Sequence, residues 1–331
     1  MLSFQIRSLA PPPPERLRAS GGRGDVRKDP HVPALEFSCP NLGFTVFRLP
    51  DGPDRGQYLV TAMAADPQEF PLIVTEADGR SSTHLVFQGG DLFLHSAPAP
   101  DKGRPNEDSA AVVAWGGTQG VLAVADGLGG QPGADQASGL LVRALGEMGQ
   151  TSGDELGPTL EVTLDEVNRS IMDLGVGAGT TLALVEFSAG GLRSHHVGDS
   201  IVTLVDRDGL AKLHTIPHSP VGYAREAGVL TELEALRHPD LHVISNMVGS
   251  KSMRVERSDF LPWEPGDTLL IASDGLTDNM LTEEWVEILV SAEPRLAGPA
   301  LVALAEERMA EGTDTIPGKP DDLTLILYRR N

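Results

Sequence analysis

Short apolar runs along residues 110–328 predict a series of β-strands. The runs consist mainly of Val, Leu, Ile and Ala, and Gly, Asp and Ser separate them. Apolar runs of four to eight residues bounded by turn-forming residues are typical of strands in antiparallel sheets. The predicted strands are 110–115, 120–125, 180–187, 192–197, 201–205, 210–216, 242–248, 253–260, 267–272 and 323–328.

Apolar residues spaced by three and four positions predict helices between these strands. In the first helix, for example, Ala137, Leu141 and Leu145 lie on one face. The predicted helices are one that follows Gly133 and those near 159–174, 222–239, 282–292 and 296–311. Runs of antiparallel strands interrupted by paired helices predict an α+β fold, with one sheet packed on another and the helices outside.

The N-terminal part of the chain has a different pattern. Residues 1–40 are rich in Pro and Gly, weakly basic and without periodicity, so they are predicted to be a disordered or linker-like tail. Residues 41–84 contain short β-like runs and are predicted to be an accessory segment of unknown role. The pattern becomes regular at about residue 85, so 85–331 is predicted to be the domain that carries the chemistry.

Composition narrows the possible partners. The chain has 331 residues, 40% of them hydrophobic, and a formal net charge of −21. A surface with this much negative charge repels nucleic acid and anionic lipid, and neither is expected as a partner.

The lone Cys39 excludes an intrachain disulfide and fits a reducing compartment. No apolar run is long enough for a signal peptide or a membrane helix, and the expected location is the cytoplasm.

Acidic residues stand at the ends of several predicted strands. Asp126 and Asp274 each follow an apolar run and precede Gly, whereas Asp321 and Asp108 precede such runs. Strand ends at one sheet edge lie about 4.8 Å apart, where carboxylates repel one another unless a cation neutralises them. One Asp-Gly pair is an ordinary turn signal, but the repeated pattern predicts a site of oxygen ligands, which selects Mg²⁺ or Mn²⁺.

The order of these segments resembles the protein phosphatase 2C family of metal-dependent Ser/Thr phosphatases, in its bacterial form. The resemblance covers residues 85–331, and residues 218–239 look like the flap region of the family. The matching segments are Arg104-Pro105-Asn106-Glu107-Asp108-Ser109, Val124-Ala125-Asp126-Gly127-Leu128-Gly129-Gly130, Gly179-Thr180-Thr181, Val197-Gly198-Asp199-Ser200, Ser273-Asp274-Gly275-Leu276-Thr277-Asp278 and Asp321-Asp322-Leu323-Thr324.

The resemblance implies a central β-sandwich flanked by helix pairs, with two Mn²⁺ or Mg²⁺ ions at one end. By position, Asp126 bridges both ions and the carbonyl of Gly127 joins one of them. Asp274 and Asp321 complete the shell of one ion. Asp108 or Glu107 holds the other ion, partly through water.

Further positions carry over with differences. Asp199 and Asp278 match positions that hold a weaker third metal in bacterial members. Arg104 is a candidate phosphate clamp, although it lies one residue nearer the acidic pair than is usual in the family. Leu128 stands where eukaryotic members have a histidine that is a candidate proton donor to the leaving group. Water is therefore the expected donor here.

The implied activity is a protein serine/threonine phosphatase, in which a water bridging two metal ions attacks the phosphomonoester directly. Its expected partners are phosphorylated proteins, the products of a Ser/Thr kinase. Two alternatives stay open. One is a regulatory phosphatase dedicated to a single phosphoserine partner, and the other is a catalytically silent binding module that keeps the fold.

Overall fold

The computed structural model describes residues 36–39, 44–48, 58–62, 70–75, 79–100, 103, 105–130, 132–149 and 155–330. The chain divides into two compact units, Met1–Phe37 with Val46–Val60 and Ser38–Thr45 with Thr61–Asn331. Strands Glu36–Cys39 (β1), Phe44–Arg48 (β2) and Tyr58–Ala62 (β3) form a three-stranded sheet of their own. Most of the tail predicted at 1–40, and Arg104, lie outside the described residues.

Along the rest of the chain, groups of strands alternate with groups of helices. The strands are Leu72–Val74 (β4), Ser81–Phe87 (β5), Gly90–Ala97 (β6), Asp108–Trp115 (β7), Gln119–Asp126 (β8), Leu182–Ser188 (β9), Gly191–Val197 (β10), Ile201–Val205 (β11), Ala211–His214 (β12), Glu256–Arg257 (β13), Thr268–Ala272 (β14) and Leu323–Arg330 (β15). The helices are Ala134–Met148 (α1), Leu156–Asp173 (α2), Pro220–Glu226 (α3), Glu232–Leu236 (α4), Asp274–Thr277 (α5), Thr282–Ser291 (α6) and Pro294–Glu311 (α7).

Two six-stranded antiparallel sheets form the centre of the larger unit. One sheet has the order β13-β10-β9-β8-β7-β4 and the other β12-β11-β14-β15-β6-β5. Their inner faces share one apolar core that includes Leu122 and Ile326. This arrangement confirms the predicted α+β sandwich.

Helices cover the outer faces of the two sheets. Leu141 of α1 and Leu160 of α2 belong to a second core with the outer face of the first sheet. Trp285 of α6 and Leu301 of α7 belong to a third core with the second sheet. Each fully buried side chain of this kind stabilises the fold by about 1.5–3 kcal/mol. The resulting α-β-β-α layers hold the central strands rigidly, and with them the residues at the strand ends.

Strands β4 and β5 each form one of the two edges of their sheet. Leu72 of β4 lies opposite Val112 of β7, and β5 pairs with β6 from Ser81 to Phe87. The boundary predicted at residue 85 therefore falls within β5. We propose that the domain predicted from residue 85 also includes β4 and the whole of β5.

Three segments differ from the predicted elements. Residues 242–248 are not a strand, and of 253–260 only β13 is one. The amide of Asn246 bonds the backbone of Arg254 in both directions, at 2.7 and 3.1 Å, and these bonds replace a strand ladder. The helix predicted at 222–239 is two short helices, because Gly228 has a φ of 69° and Thr231 begins α4 with a capping box.

Candidate active site

Four central strands bring their acidic residues to one end of the sandwich. Asp108 begins β7 and lies opposite Asp126, the last residue of β8. In the second sheet, Asp274 follows β14 closely and Asp321 precedes β15, which pairs with β14. The hydroxyl of Ser273 donates to Oδ2 of Asp108 at 2.8 Å and so joins the two sheets at this end.

Backbone contacts hold Asp126 and the glycine after it in place. The Asp126 N–H donates to Oγ1 of Thr181 at 2.9 Å, and its carbonyl accepts from the Thr181 N–H at 2.8 Å. The Gly127 N–H donates to the carbonyl of Glu107 at 3.0 Å. A Cβ atom on Gly127 would collide with the carbonyl of Ala134. Glycine is therefore required here by the close approach of two backbone segments.

The carboxylates are close enough to repel one another. Burial, followed by the charges of Asp108, Asp274 and other neighbours, raises the pKa of Asp126. Burial and the charge of Asp274 raise the pKa of Asp199 to about 7 and that of Asp321 to about 6. This end of the sandwich therefore favours the uptake of positive charge, either as protons or as a bound cation.

The sequence of the chain matches the profile of a known protein family. The sequence profile of the protein phosphatase 2C family matches residues 99–310. The chain belongs to the protein phosphatase 2C family. The predicted family and its enzyme class, protein phosphatase, are thereby confirmed.

Relatives and solved structures agree with this family. A serine/threonine phosphatase stp of Listeria innocua is 31% identical over 254 residues, which cover 72% of this chain and 96% of the relative. The protein phosphatase PhpP of Streptococcus pneumoniae is 30% identical over 205 residues, with 59% and 82% covered. The Mycobacterium tuberculosis serine/threonine phosphatase PstP/Ppp superposes with a TM-score of 0.60 at 27% identity, covering 72% of this chain and 97% of that one.

Lys319 is a residue of this phosphatase site that the sequence analysis missed. Its ammonium donates to Oδ2 of Asp274 at 2.8 Å and to Oδ2 of Asp278 at 2.5 Å, and it lies 3.4 Å from Oδ2 of Asp321. Burial lowers the pKa of Lys319, but the three carboxylates raise it by more, and the net effect is upward. Lys319 is therefore a fixed positive charge within the acidic cluster.

Asp322 was also missed and has a positioning role. It is 3% exposed, and its two oxygens accept from the backbone N–H of Ala99 at 2.8 Å and of Glu107 at 2.6 Å. The Asp108 N–H donates to Oδ1 of Asn106 at 3.0 Å. These bonds fix the segment that carries Glu107 and Asp108. Burial and the charge of Asp322 raise the pKa of Asp108.

The structure brings together most of the residues that the sequence predicts for the site. Six carboxylates interact electrostatically, and these are Asp108, Asp126, Asp199, Asp274, Asp278 and Asp321. Glu107 is half-buried beside them. Nothing in the described residues bears on Arg104 as a phosphate clamp.

The donor set fits hard divalent cations, since every side-chain ligand is a carboxylate. Among the described side chains, however, no three acidic, histidine or cysteine groups could hold a metal ion as they stand. In this arrangement Oδ2 of Asp274, Asp278 and Asp321 lies near the Lys319 ammonium. Carboxylate side chains turn about their χ angles at little cost, so their oxygens can move toward a bound cation.

The flap region, residues 218–239, forms one wall of a cavity next to the cluster. Ser219 caps α3 through a bond from the Gly222 N–H, and His218 accepts from the Gly198 N–H at 3.1 Å. The cavity has a volume of about 50 Å³, and Asp199 and Asp278 are among its lining residues. This segment therefore lies beside Asp199 and Asp278 of the acidic end.

Proposed function

We propose that this phosphatase hydrolyses phosphoserine and phosphothreonine esters in proteins with the help of two divalent cations, Mn²⁺ or Mg²⁺. The observation that carries the proposal is the convergence of carboxylates from both sheets at one end of the sandwich. Burial and the mutual repulsion of these carboxylates raise the pKa of Asp126 and so favour the binding of positive charge. A solved PstP catalytic domain from the same family is described as a complex with two manganese ions, at 26% identity and a TM-score of 0.59.

The proposed ligands are those that the resemblance to the family implies. Asp126 would bridge the two ions, joined by the carbonyl of Gly127. Asp274 and Asp321 would hold one ion, and Asp108 or Glu107 the other. When bound, two such cations activate a water for attack on phosphorus and neutralise the charge of the phosphate.

The surrounding residues keep these ligands in place. Ser273 holds the Asp108 carboxylate, and Thr181 holds the backbone of Asp126 on both sides. Asp322 holds the backbone of Glu107. Bonds of this kind matter because loss of a residue that orients a ligand commonly costs 10–100-fold in metal affinity or activity. Leu128 has no proton to donate to the leaving oxygen, so we assign that proton to water.

The substrates would be proteins that a Ser/Thr kinase has phosphorylated. A net charge of −21 argues against nucleic acid or an anionic membrane as a partner. None of the described helices is both long enough and apolar enough to cross a membrane. The lone Cys39 supports action in the cytoplasm.

The test is hydrolysis of p-nitrophenyl phosphate and of a phosphothreonine peptide by the purified chain, with Mn²⁺, with Mg²⁺ and with EDTA. We expect both substrates to be hydrolysed with either metal and neither in EDTA. Full activity in excess EDTA would sink the two-ion proposal. Binding of Mn²⁺ without any hydrolysis would favour the silent module instead.

A further inference from the structure

The ammonium of Lys319 lies among three carboxylates, where a bound cation would otherwise neutralise them. It donates hydrogen bonds to Oδ2 of Asp274 at 2.8 Å and to Oδ2 of Asp278 at 2.5 Å, and it lies 3.4 Å from Oδ2 of Asp321. These hydrogen bonds use two of the three donors of the ammonium. In each contact it takes Oδ2 only and leaves the other oxygen for a different partner.

The backbone holds Lys319 in this position. The Lys319 N–H donates to Oδ1 of Asn279, and the Lys319 carbonyl accepts from Nδ2 of the same side chain, both at 2.9 Å. Asn279 is fully buried and also donates to the carbonyl of Gly275 at 3.0 Å. The lysine stem therefore starts from a fixed point beside the Asp274-Gly275 turn, and the ammonium meets the carboxylates with little further loss of freedom.

We propose that Lys319 is a resident cation of this site, which takes the place of a third metal ion between Asp274 and Asp278. The inference rests on the proposed two-ion function. A divalent ion placed between Oδ2 of Asp274 and Oδ2 of Asp278 would occupy the position of the ammonium and would have to displace it. An ion held by Asp274 and Asp321 can instead use the oxygens that the ammonium leaves. The chain should accordingly hold two ions and supply the third positive charge itself.

The same contact should stabilise the metal-free protein. Without Lys319, the buried carboxylate of Asp278, 8% exposed, would face Asp274 with no positive charge between them. Leaving a buried charge without its partner is strongly destabilising. Added divalent cations can supply the missing charge, so the loss should depend on metal.

The experiment compares Lys319→Met, which keeps the apolar stem, with Lys212→Met on the full chain. Lys212 is a matched control, because its ammonium contacts Oδ2 of the buried Asp267 at 2.7 Å and is not among the contacts of the acidic cluster. Stoichiometry is measured by calorimetric titration of metal-free protein with Mn²⁺. Melting temperature is measured in EDTA and in saturating Mn²⁺.

We expect two Mn²⁺ ions per chain for the unaltered protein and for Lys212→Met, and three for Lys319→Met. Lys319→Met should lower the melting temperature in EDTA by at least about 3 °C, and saturating Mn²⁺ should recover most of that loss. Lys212→Met should cost the same in both conditions. If Lys319→Met does not fold without metal, Lys319→Gln replaces it, and Lys319→Arg must keep two ions.

Three ions in the unaltered protein, or two in Lys319→Met, would overturn the resident cation and leave the two-ion site standing. A melting loss that Mn²⁺ does not recover would also overturn it. Failure of every variant and of the unaltered protein to bind Mn²⁺ would instead overturn the proposed function.

Discussion

The two ends of the sandwich strands differ sharply in chemistry. At one end, β8 finishes at Asp126 and β15 is preceded by Asp321. Toward the other end, Phe187, Trp263 and Tyr328 pack together, with ring centroids 5.0–5.6 Å apart. Phe87 joins them 5.8 Å from Phe187. The sandwich therefore carries an aromatic cluster at one end and an acidic cluster at the other.

The difference shows how a stable scaffold can carry a destabilising site. Aromatic pairs contribute about 0.5–1.5 kcal/mol each beyond the burial of their surface. Repelling carboxylates cost stability until cations compensate them. Because the strands are rigid and shared, the aromatic cluster can offset strain at the acidic end without contacting the substrate. Mutations at the two ends should therefore separate activity from stability.

The largest effect is expected from Asp126→Asn, which keeps shape but removes a charge from the proposed bridging ligand. Turnover and Mn²⁺ affinity should fall at least about 100-fold. Stability without metal should hold or rise, because one source of repulsion is gone.

Asp199→Asn should lower turnover and Mn²⁺ affinity less than Asp126→Asn does, since Asp199 is at most a third-metal ligand. Turnover is measured against Mn²⁺ concentration, with the exposed Asp208→Asn as control. Near-normal turnover of Asp126→Asn at saturating Mn²⁺ would contradict the bridging role.

Phe187→Ala tests the opposite end. Phe187 is 4% exposed and contacts three other rings, so its loss should cost about 3–5 kcal/mol of unfolding free energy. Mn²⁺ affinity and the turnover of the folded fraction should stay unchanged. Urea unfolding and hydrolysis of p-nitrophenyl phosphate measure the two quantities. Phe260→Ala, at a residue 46% exposed, is the control and should cost less than about 1 kcal/mol. A large loss of metal affinity in Phe187→Ala would show that the ends are coupled.

The acidic end should contribute to the pH dependence of metal-free stability. The folded-state pKa values of Asp321, about 6, and Asp199, about 7, lie above the ordinary value of 3.8. Groups with a raised folded pKa favour the folded state at low pH, and this contribution is lost as pH rises from about 4 to 7. Burial lowers the pKa of His95 and His196 to about 3, and these groups act in the opposite direction. The acidic contribution is therefore measured by comparing variants in EDTA. From pH 5 to pH 8, the melting temperature of Asp199→Asn should rise relative to that of the unaltered protein, and that of Phe187→Ala should not.

Asp322→Asn should have a smaller effect on activity than Asp126→Asn. An amide has one oxygen, so it can accept from the N–H of Ala99 or of Glu107 but not from both. The segment before Asp108 would loosen, and Mn²⁺ affinity should fall about 10-fold. Calorimetric titration gives the affinity. Unchanged affinity together with lowered stability would mean that Asp322 is only structural.

The smallest effect is expected from Tyr328→Phe. The Tyr328 hydroxyl donates to the carbonyl of Phe87 at 3.0 Å, and its removal should cost about 1 kcal/mol of unfolding free energy. Activity should not change. A drop in turnover larger than the loss of folded protein would contradict the separation of the two ends.

Elements whose pattern is local were predictable from sequence. The run predicted at 120–125 is β8, Gln119–Asp126, and the helix predicted at 296–311 is α7, Pro294–Glu311. The strand predicted at 242–248 was wrong because the Asn246 amide bonds the backbone of Arg254. No periodicity reveals a bond of this kind.

The functional site also contains residues that the local sequence predicts and residues that it does not. The acidic strand ends were predictable because each Asp abuts its own apolar run. The roles of Lys319 and Asp322 were not, since they depend on Asp278, 41 residues away, and on Glu107, 215 residues away. The position of Asp322 next to Asp321 was a weak indication of its role, whereas nothing in the sequence indicated a role for Lys319.

The position of β15 also bears on how the enzyme is made. This strand comes late in the chain, yet it lies between β14 and β6 in its sheet, and its partner at Ala97 precedes Leu323 by most of the sequence. Pairings between such distant segments form slowly, because a long loop must close first. A nascent chain cannot complete this sheet, or bring Asp321 to the other carboxylates, until residue 330 has been synthesised. Phosphatase activity should thus emerge only with the finished sheet, and unpaired β6 and β14 are surfaces on which a chaperone would act.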